Sequence, residues 1–165
     1  MQEIQLKLRP AGTHDLELIA GLATRIWYDH YVPIIGVEQV RYMLELMYSE
    51  DSLREQMQVK GHHFYIVETE PGAVGFVSLH EQAPGDWFLN KFYLLQDRSG
   101  RGLGTAVLRA LHELLQPARI TLTVNRQNYK SINFYFKNGF TIQRVADFDI
   151  GQGYVMNDFV MTWER

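Results

Sequence analysis

One stretch limits the fold more than any other: WFLNKFYLLQDRSGRGLGTAVLRALHELL, from Trp87 to Leu115. Its first part, Trp87 to Leu95, is almost continuously apolar, as expected of a strand covered on both faces. Its last part, Thr105 to Leu115, places apolar residues at helical spacing, stopping near Pro117. Between them Gly100, Gly102 and Gly104 alternate, with Arg98 and Arg101 alongside. Glycines let backbone amides approach an anion, and the free amides of a helix start bind one with a favourable dipole. A strand that enters such a loop and leaves as a helix makes a pyrophosphate the natural ligand. Neither standard phosphate loop fits. No lysine stands at the helix start, and the third glycine comes one residue too early for a dinucleotide fingerprint. A turn shaped only for its backbone remains the alternative.

The rest of the chain surrounds this stretch with alternating periods. IQLKLR (Ile4 to Arg9) reads as a half-buried strand. A helix follows, with Thr13 as N-cap and Leu16, Ile19, Ala20, Ala23, Ile26 and Trp27 on one face. Pro33 and Gly36 break it, and VEQVRYMLELMYS and SLREQMQVK read as two more helices. HFYIVE and AVGFVSLH are strands divided by the turn Glu70 to Gly72, and QAPGD turns the chain into the Trp87 strand. RITLTV is a strand, NYKSINFYFKNGF a helix closed by Gly139, and the chain finishes as two strands around GQG. The order β-α-α-α-β-β-β-α-β-α-β-β predicts an α/β fold, a mixed sheet with helices on both faces.

Composition narrows the functions. The chain has 165 residues, 46% hydrophobic and 21% charged, which predicts one globular domain over 1–165. A net charge of −3 gives no basis for nucleic-acid binding. Cysteine is absent, which removes disulfides, thiolate zinc sites and a cysteine nucleophile, and no metal is expected. No apolar run has the length of a membrane span, and MQEIQLKLRP does not read as a signal peptide. A cytoplasmic location, without a membrane partner, is the expectation.

Two motifs together resemble the GNAT superfamily of acetyl-CoA-dependent N-acetyltransferases. Ser99-Gly100-Arg101-Gly102-Leu103-Gly104 is similar to that family's Gln/Arg-x-x-Gly-x-Gly/Ala signature, with Ser in its first position. NYKSINFYFKNGF resembles its Asn-x-x-Ala-x-x-x-Tyr-x-x-x-Gly-Phe segment, with Asn128, Ser131, Tyr135, Gly139 and Phe140 in register and Ser for Ala. The element order agrees over nearly the whole chain. The stretch IWYDHYVPIIGVEQVRYMLELMYS and the tail FDIGQGYVMNDFVM resemble the branch that holds PaiA-like polyamine acetyltransferases.

The resemblance implies transfer of an acetyl group from acetyl-CoA to a primary amine, of a polyamine-like small molecule or a peptide, by direct attack. It assigns roles residue by residue. Tyr135 would protonate the departing thiolate, although packing of Phe134, Tyr135 and Phe136 needs one of them in the core. The backbone of Phe92, Tyr93 and Leu94 would hold the acetyl carbonyl and pantetheine arm on a strand splayed from its parallel neighbour. The phosphates would meet Arg98, Ser99, Arg101 and the amides of Gly100, Gly102, Leu103, Gly104 and Thr105. Asn128 would bond the pantetheine, cap its helix, or do both.

An alkylamine with a pKa near ~10.4 must lose a proton before attack. Many relatives carry a glutamate on the strand, and Asn90 stands at the matching place here. A water chain would then carry the proton, with His80, Glu81, Asp86 or His30 at its far end. Trp27, Tyr28, Tyr31, Tyr42 and Met43 could line the acceptor wall, and Asp29, Glu45 or Asp158 could attract a cationic amine. Core packing and an exposed acidic face account for the same residues. A catalytically weak acyl-CoA-binding sensor or interaction module on this fold is the alternative function; the oligomeric state is not legible in the sequence, and a homodimer through edge strands is one assembly a mixed sheet of this size allows.

Overall fold

The computed structural model describes residues 4–70, 72–98 and 101–165. In chain order it has β1 (Lys7–Pro10), α1 (Leu16–His30), α2 (Val32–Ile35), α3 (Val37–Tyr48), α4 (Glu50–Gln58), β2 (His63–Thr69), β3 (Gly72–Ala83), β4 (Asp86–Leu94), α5 (Leu103–Leu115), β5 (Arg119–Asn125), α6 (Tyr129–Lys137), β6 (Thr141–Gly151) and β7 (Tyr154–Glu164). The seven strands form one sheet in the order β1-β2-β3-β4-β5-β7-β6. β4 and β5 are parallel, and every other neighbouring pair is antiparallel. A parallel pair needs a crossover, which α5 supplies.

Each face of the sheet carries its own apolar core. On one, Val77, Leu79 and Leu89 pack with Leu103, Val107, Leu108 and Leu111 of α5 and with Ile132 and Tyr135 of α6. On the other, Ile66 and Phe76 pack with Ile19, Ala23, Ile26 and Trp27 of α1, Val40 and Met43 of α3, and Leu53 of α4. Burial on both faces explains why β3 reads as an apolar run from Val74 to Leu79, interrupted only by the buried Ser78. The expected mixed sheet between two helical layers is the observed architecture.

Local differences from the expectation have physical causes. β1 begins at Lys7, because its pairing with β2 runs from Lys7–Glu68 to Pro10–Tyr65. Thr13 does not cap α1: it lies in a 3-10 turn, Thr13–Asp15, preceding that helix. There the Asp15 carboxylate accepts from the Gly12 amide at 3.0 Å and pairs with Arg9 at 3.0 Å. Pro33 does not end helical structure. It sits in the first turn of α2, where proline lacks no needed amide. α5 begins at Leu103, two residues before the expected start, because Gly102 in the left-handed region (φ 80°) serves as its N-cap. The expected Glu70–Gly72 turn includes Pro71, and the glycine loop includes Ser99 and Gly100, which lie outside the described residues. No helix among the described residues is long and apolar enough to cross a membrane.

Candidate active site

The sheet opens at its centre. β4 pairs with β5 only through Asp86–Arg119, Trp87–Ile120 and Phe88–Thr121. Beyond that point β4 stays paired to β3 as far as Leu94–Gly75, and β5 stays paired to β7 through Asn125–Asp158. The edge of β4 from Leu89 to Leu94 that would face β5 therefore lacks a partner strand. The ladder shifts register at the same place: Ser78 opposes Lys91 and Leu79 opposes Leu89, leaving Asn90 as the extra residue of a bulge. A bulge bends and twists its strand locally, which suits the point of divergence.

A cleft of about 630 Å³ fills the opening. One wall combines the free edge of β4 with Gly102, Gly104 and Thr105 at the start of α5, and with Asn128, Ser131, Phe134 and Tyr135 of α6 and its cap. The other combines Trp27 and His30 of α1 and its C-cap Tyr31, Met43, Met47 and Tyr48 of α3, and Met156 and Asp158 of β7. Gly104 packs so closely that a Cβ there would stand 2.7 Å from the Phe134 ring, and Gly102 adopts a conformation that side chains resist.

Asn128 joins the two walls. Its Oδ1 accepts from the Ser131 amide at 3.3 Å, capping α6, and from His30 Nε2 at 3.0 Å. Its Nδ2 donates to the Tyr31 hydroxyl at 3.3 Å. Gln96, just past β4, donates to His30 Nδ1 at 2.8 Å. Both ring nitrogens of His30 are thereby occupied, and burial holds it below the ordinary imidazole range. His30 is a strut between α1, α6 and the β4 exit, not the free end of a water chain.

Four tyrosines converge in the cleft. The Tyr31 and Tyr93 rings meet edge to face with centroids 6.4 Å apart, and Tyr31 also feels the charge of Asp158. Burial pushes Tyr31 up to about 12 and holds Tyr48, Tyr93 and Tyr135 further above the usual phenol range. All four stay protonated at neutral pH. Tyr135 is buried between Phe92, Phe134 and Phe140, with ring centroids 6.3, 5.3 and 5.4 Å away. It satisfies the packing demand and lines the cleft at once.

Asp158 is the single carboxylate among the described residues that line the cleft. It is 2% exposed, and its Oδ1 has no hydrogen-bond partner among the described residues. Burial pushes its carboxyl up to about 6, against the pull of Arg126 and the polar influence of the Thr123 hydroxyl. Trp27, Tyr31 and Asp158 are brought together as the sequence suggested. Tyr28, Asp29 and Glu45 are not: they occupy solvent faces of α1 and α3 and stay off the cleft. Tyr42 also stays off it, bonding the Ile150 carbonyl, while Met43 reaches it.

The remaining candidates divide. Asn90 lines the cleft, with its Oδ1 accepting from His80 Nδ1 at 2.9 Å. His80 itself stands behind Asn90, stacked on His62 at 4.8 Å. Glu81 bonds the Gly85 amide, and Asp86 pairs with Arg119; neither reaches the cleft. Phe92, Tyr93 and Leu94 line it, as do Gly102, Gly104 and Thr105, whereas Arg98 and Arg101 are exposed beside it and Leu103 is buried in the α5 core. Sequence reasoning missed two residues. Lys91 and Tyr48 both line the cleft and are 8% and 4% exposed. The signal for Lys91 was visible: a lysine which, with Asn90, interrupts an otherwise apolar strand.

A family model described as "Acetyltransferase (GNAT) family" matches residues 22–140. The chain belongs to the acetyltransferase (GNAT) family. Membership makes it an acetyl-CoA-dependent acyltransferase. An uncharacterized N-acetyltransferase of Mycobacterium tuberculosis is 26% identical over 156 residues, covering 91% of this chain and 97% of the relative. A spermidine N(1)-acetyltransferase of Thermoplasma acidophilum is 24% identical over 147 residues, covering 85% and 91%. Among solved structures, the PaiA N-acetyltransferase of Thermoplasma acidophilum in complex with coenzyme A superposes with a TM-score of 0.81 at 22% identity, covering 98% of this chain and 100% of that one. A GCN5-related N-acetyltransferase from Rhodopseudomonas palustris gives 0.81 at 20% identity, covering 100% and 99%. These likenesses carry the fold, and the cleft carries the argument about chemistry.

Proposed function

We propose that the protein acetylates the primary amine of a small molecule, using acetyl-CoA, by direct attack within the cleft between β4 and β5. The observation that carries this reading is the free edge of β4, which leads straight into the glycine loop and the N-terminus of α5. Unpaired amides of β4 around Phe92 to Leu94 suit the thioester carbonyl and the pantetheine arm, and the close packing at Gly104 suits a backbone that must lie near a ligand. The amides of Gly102 to Thr105 suit phosphate, with Arg98 and Arg101 adding positive charge at the rim. Kinship with a spermidine acetyltransferase supports a small alkylamine over a protein substrate.

The residues then divide the proton work. Asp158 receives the ammonium and takes its proton, a task for which a carboxyl near 6 is better suited than an ordinary aspartate. The amine nitrogen bonds to the acetyl carbon and the carbon–sulfur bond breaks. Tyr135 donates a hydrogen bond to the sulfur as negative charge builds there, and CoA leaves as the thiol. Asn90, held by His80, orients the amine or its water from the β4 side. One proton is released to solvent for each amide formed.

Acetyl-CoA should raise the melting temperature, because it binds the folded state. Gly102→Asn, which tolerates the left-handed backbone, should keep most of that shift. Gly102→Glu should lose it, because a carboxylate would enter the phosphate path. An undiminished shift in folded Gly102→Glu would overturn the assignment of the loop.

A further inference from the structure

Three buried groups with protons to donate, on Trp27, Tyr48 and Lys91, line the acceptor side of the cleft. Trp27 and Tyr48 are 3% and 4% exposed, and Trp27 Nε1 and Tyr48 Oη are both buried without a hydrogen-bond partner. The indole N–H and the Tyr93 hydroxyl both approach the Tyr48 hydroxyl closely enough to favour its ionised form, but no completed bond to Trp27 Nε1 or Tyr48 Oη forms among the described residues. The Lys91 ammonium lies 5.4 Å from the centre of the Tyr48 ring and 5.8 Å from that of Phe64. No ion pair forms on Lys91 among the described residues, and the charge that acts on it is a second cation, Lys60. Burial and that cation hold Lys91 down at about 8.

A buried ammonium without a carboxylate is costly, and ring faces offset only part of the cost. An indole N–H and an ammonium can only donate. The protein therefore presents a pocket in which protons to donate outnumber the acceptors, the Tyr48 hydroxyl being able to do either. Asp158, on the same cleft, presents the opposite: an acceptor that lacks a donor. The Trp27 and Tyr31 rings, with centroids 4.5 Å apart, line the same cleft.

We infer that the acceptor is an amino acid or similar amine that also bears a carboxylate, with Asp158 taking the amine and Trp27, Tyr48 and Lys91 taking the carboxylate. The inference rests on the proposed acetyl transfer and narrows its acceptor. A diamine would set its second ammonium against Lys91, and the described lining of the cleft offers it no second carboxylate. An alkylamine would leave the donors unmet.

The test is kcat/KM over ω-amino acids of graded length, each beside the alkylamine and the diamine of equal length. At the best length the amino acid should lead both by about ten-fold or more, the value of one charge-assisted contact. In Lys91→Met the lead should vanish while alkylamine turnover persists. In the native protein, whose fold is not in question, the lead should also shrink as pH rises through about 8. Diamines that match or exceed the amino acids at every length would overturn the inference and leave acetyl transfer standing. Acetyl-CoA binding with no thiol release from any of these amines would instead overturn the transfer reading, and the inference with it.

Discussion

The two walls of the cleft are built in different ways. The α5–α6 wall comes from short contiguous stretches, Gly102 to Thr105 and Asn128 to Tyr135, and its polar groups are largely satisfied within the protein. Asn128 alone meets Ser131, His30 and Tyr31. The opposite wall draws Trp27, Tyr48 and Asp158 from three distant elements, and each keeps a buried polar atom without a partner. A satisfied wall of backbone and small residues can serve one invariant ligand. A wall with unmet donors and acceptors is unfinished until a particular molecule arrives. In the proposed reaction this difference puts the common chemistry on one side and the choice of acceptor on the other.

Replacing Asp158 should separate the walls most sharply. Asp158→Asn keeps the shape and removes the proton acceptor, so turnover should fall by about 10²- to 10⁴-fold while the acetyl-CoA melting shift persists. Stability should move the other way. The folded carboxyl titrates near 6 and the unfolded one near 3.8, so the fold binds more protons between those values. The native protein therefore loses stability as pH rises through that window, and the Asn variant does not. At pH 7 the variant should be more stable by on the order of 2 kcal/mol, read from denaturant melts at pH 4 and pH 7. Lost activity together with lost stability at pH 7 would make Asp158 a structural residue instead.

Tyr135→Phe tests the satisfied wall. The ring remains, so packing against Phe92 and Phe140 and the affinity for acetyl-CoA should hold. Because the Tyr135 hydroxyl sits well above the usual phenol range, full transfer to a thiolate of pKa about 8.5 runs uphill. Its contribution is a hydrogen bond to developing charge, so kcat should fall by about ten- to a hundred-fold, less than for Asp158. Unchanged kcat would remove Tyr135 from the chemistry.

Much of this was readable in advance for a physical reason. The α5–α6 wall depends on backbone conformation and sequential spacing, which glycines and a capping asparagine announce directly. The β4 strand showed itself by its apolar run, and Trp27, Tyr31 and Asp158 were visible as candidates. Register on a helix then decided between neighbours: Trp27 faces the core, and Tyr28 and Asp29, further round the turn, face solvent. The bulge at Asn90 could not be read, because it depends on which residue of β3 each residue of β4 opposes. The partnership of Lys91 with Tyr48 joins residues from different elements and exists only after packing. For the same reason His30, a plausible base in the sequence, proves to be spoken for on both nitrogens.

The smallest expected effect lies behind the bulge. Burial and neighbouring cations hold His62 at about 4, against 6.5 in an unfolded chain. The unfolded state then binds more protons between those values, so stability falls as pH drops through that window. His62→Gln should flatten the acid side of the melting-temperature profile and leave turnover at pH 7 nearly unchanged. A profile of unchanged slope would mean that the stacked His62–His80 pair is not what acid disturbs.

The most direct measurement of the central claim is a single turnover followed for three products at once: CoA thiol, N-acetylated amine and acetylated protein. With acetyl-CoA bound and an ω-amino acid added, thiol and acetylated amine should rise together in equal amounts. Their rate should depend on amine concentration, and no acetyl group should reside on the protein. Thiol release that precedes the amine, or an acetylated enzyme that forms and decays, would contradict direct attack across the cleft.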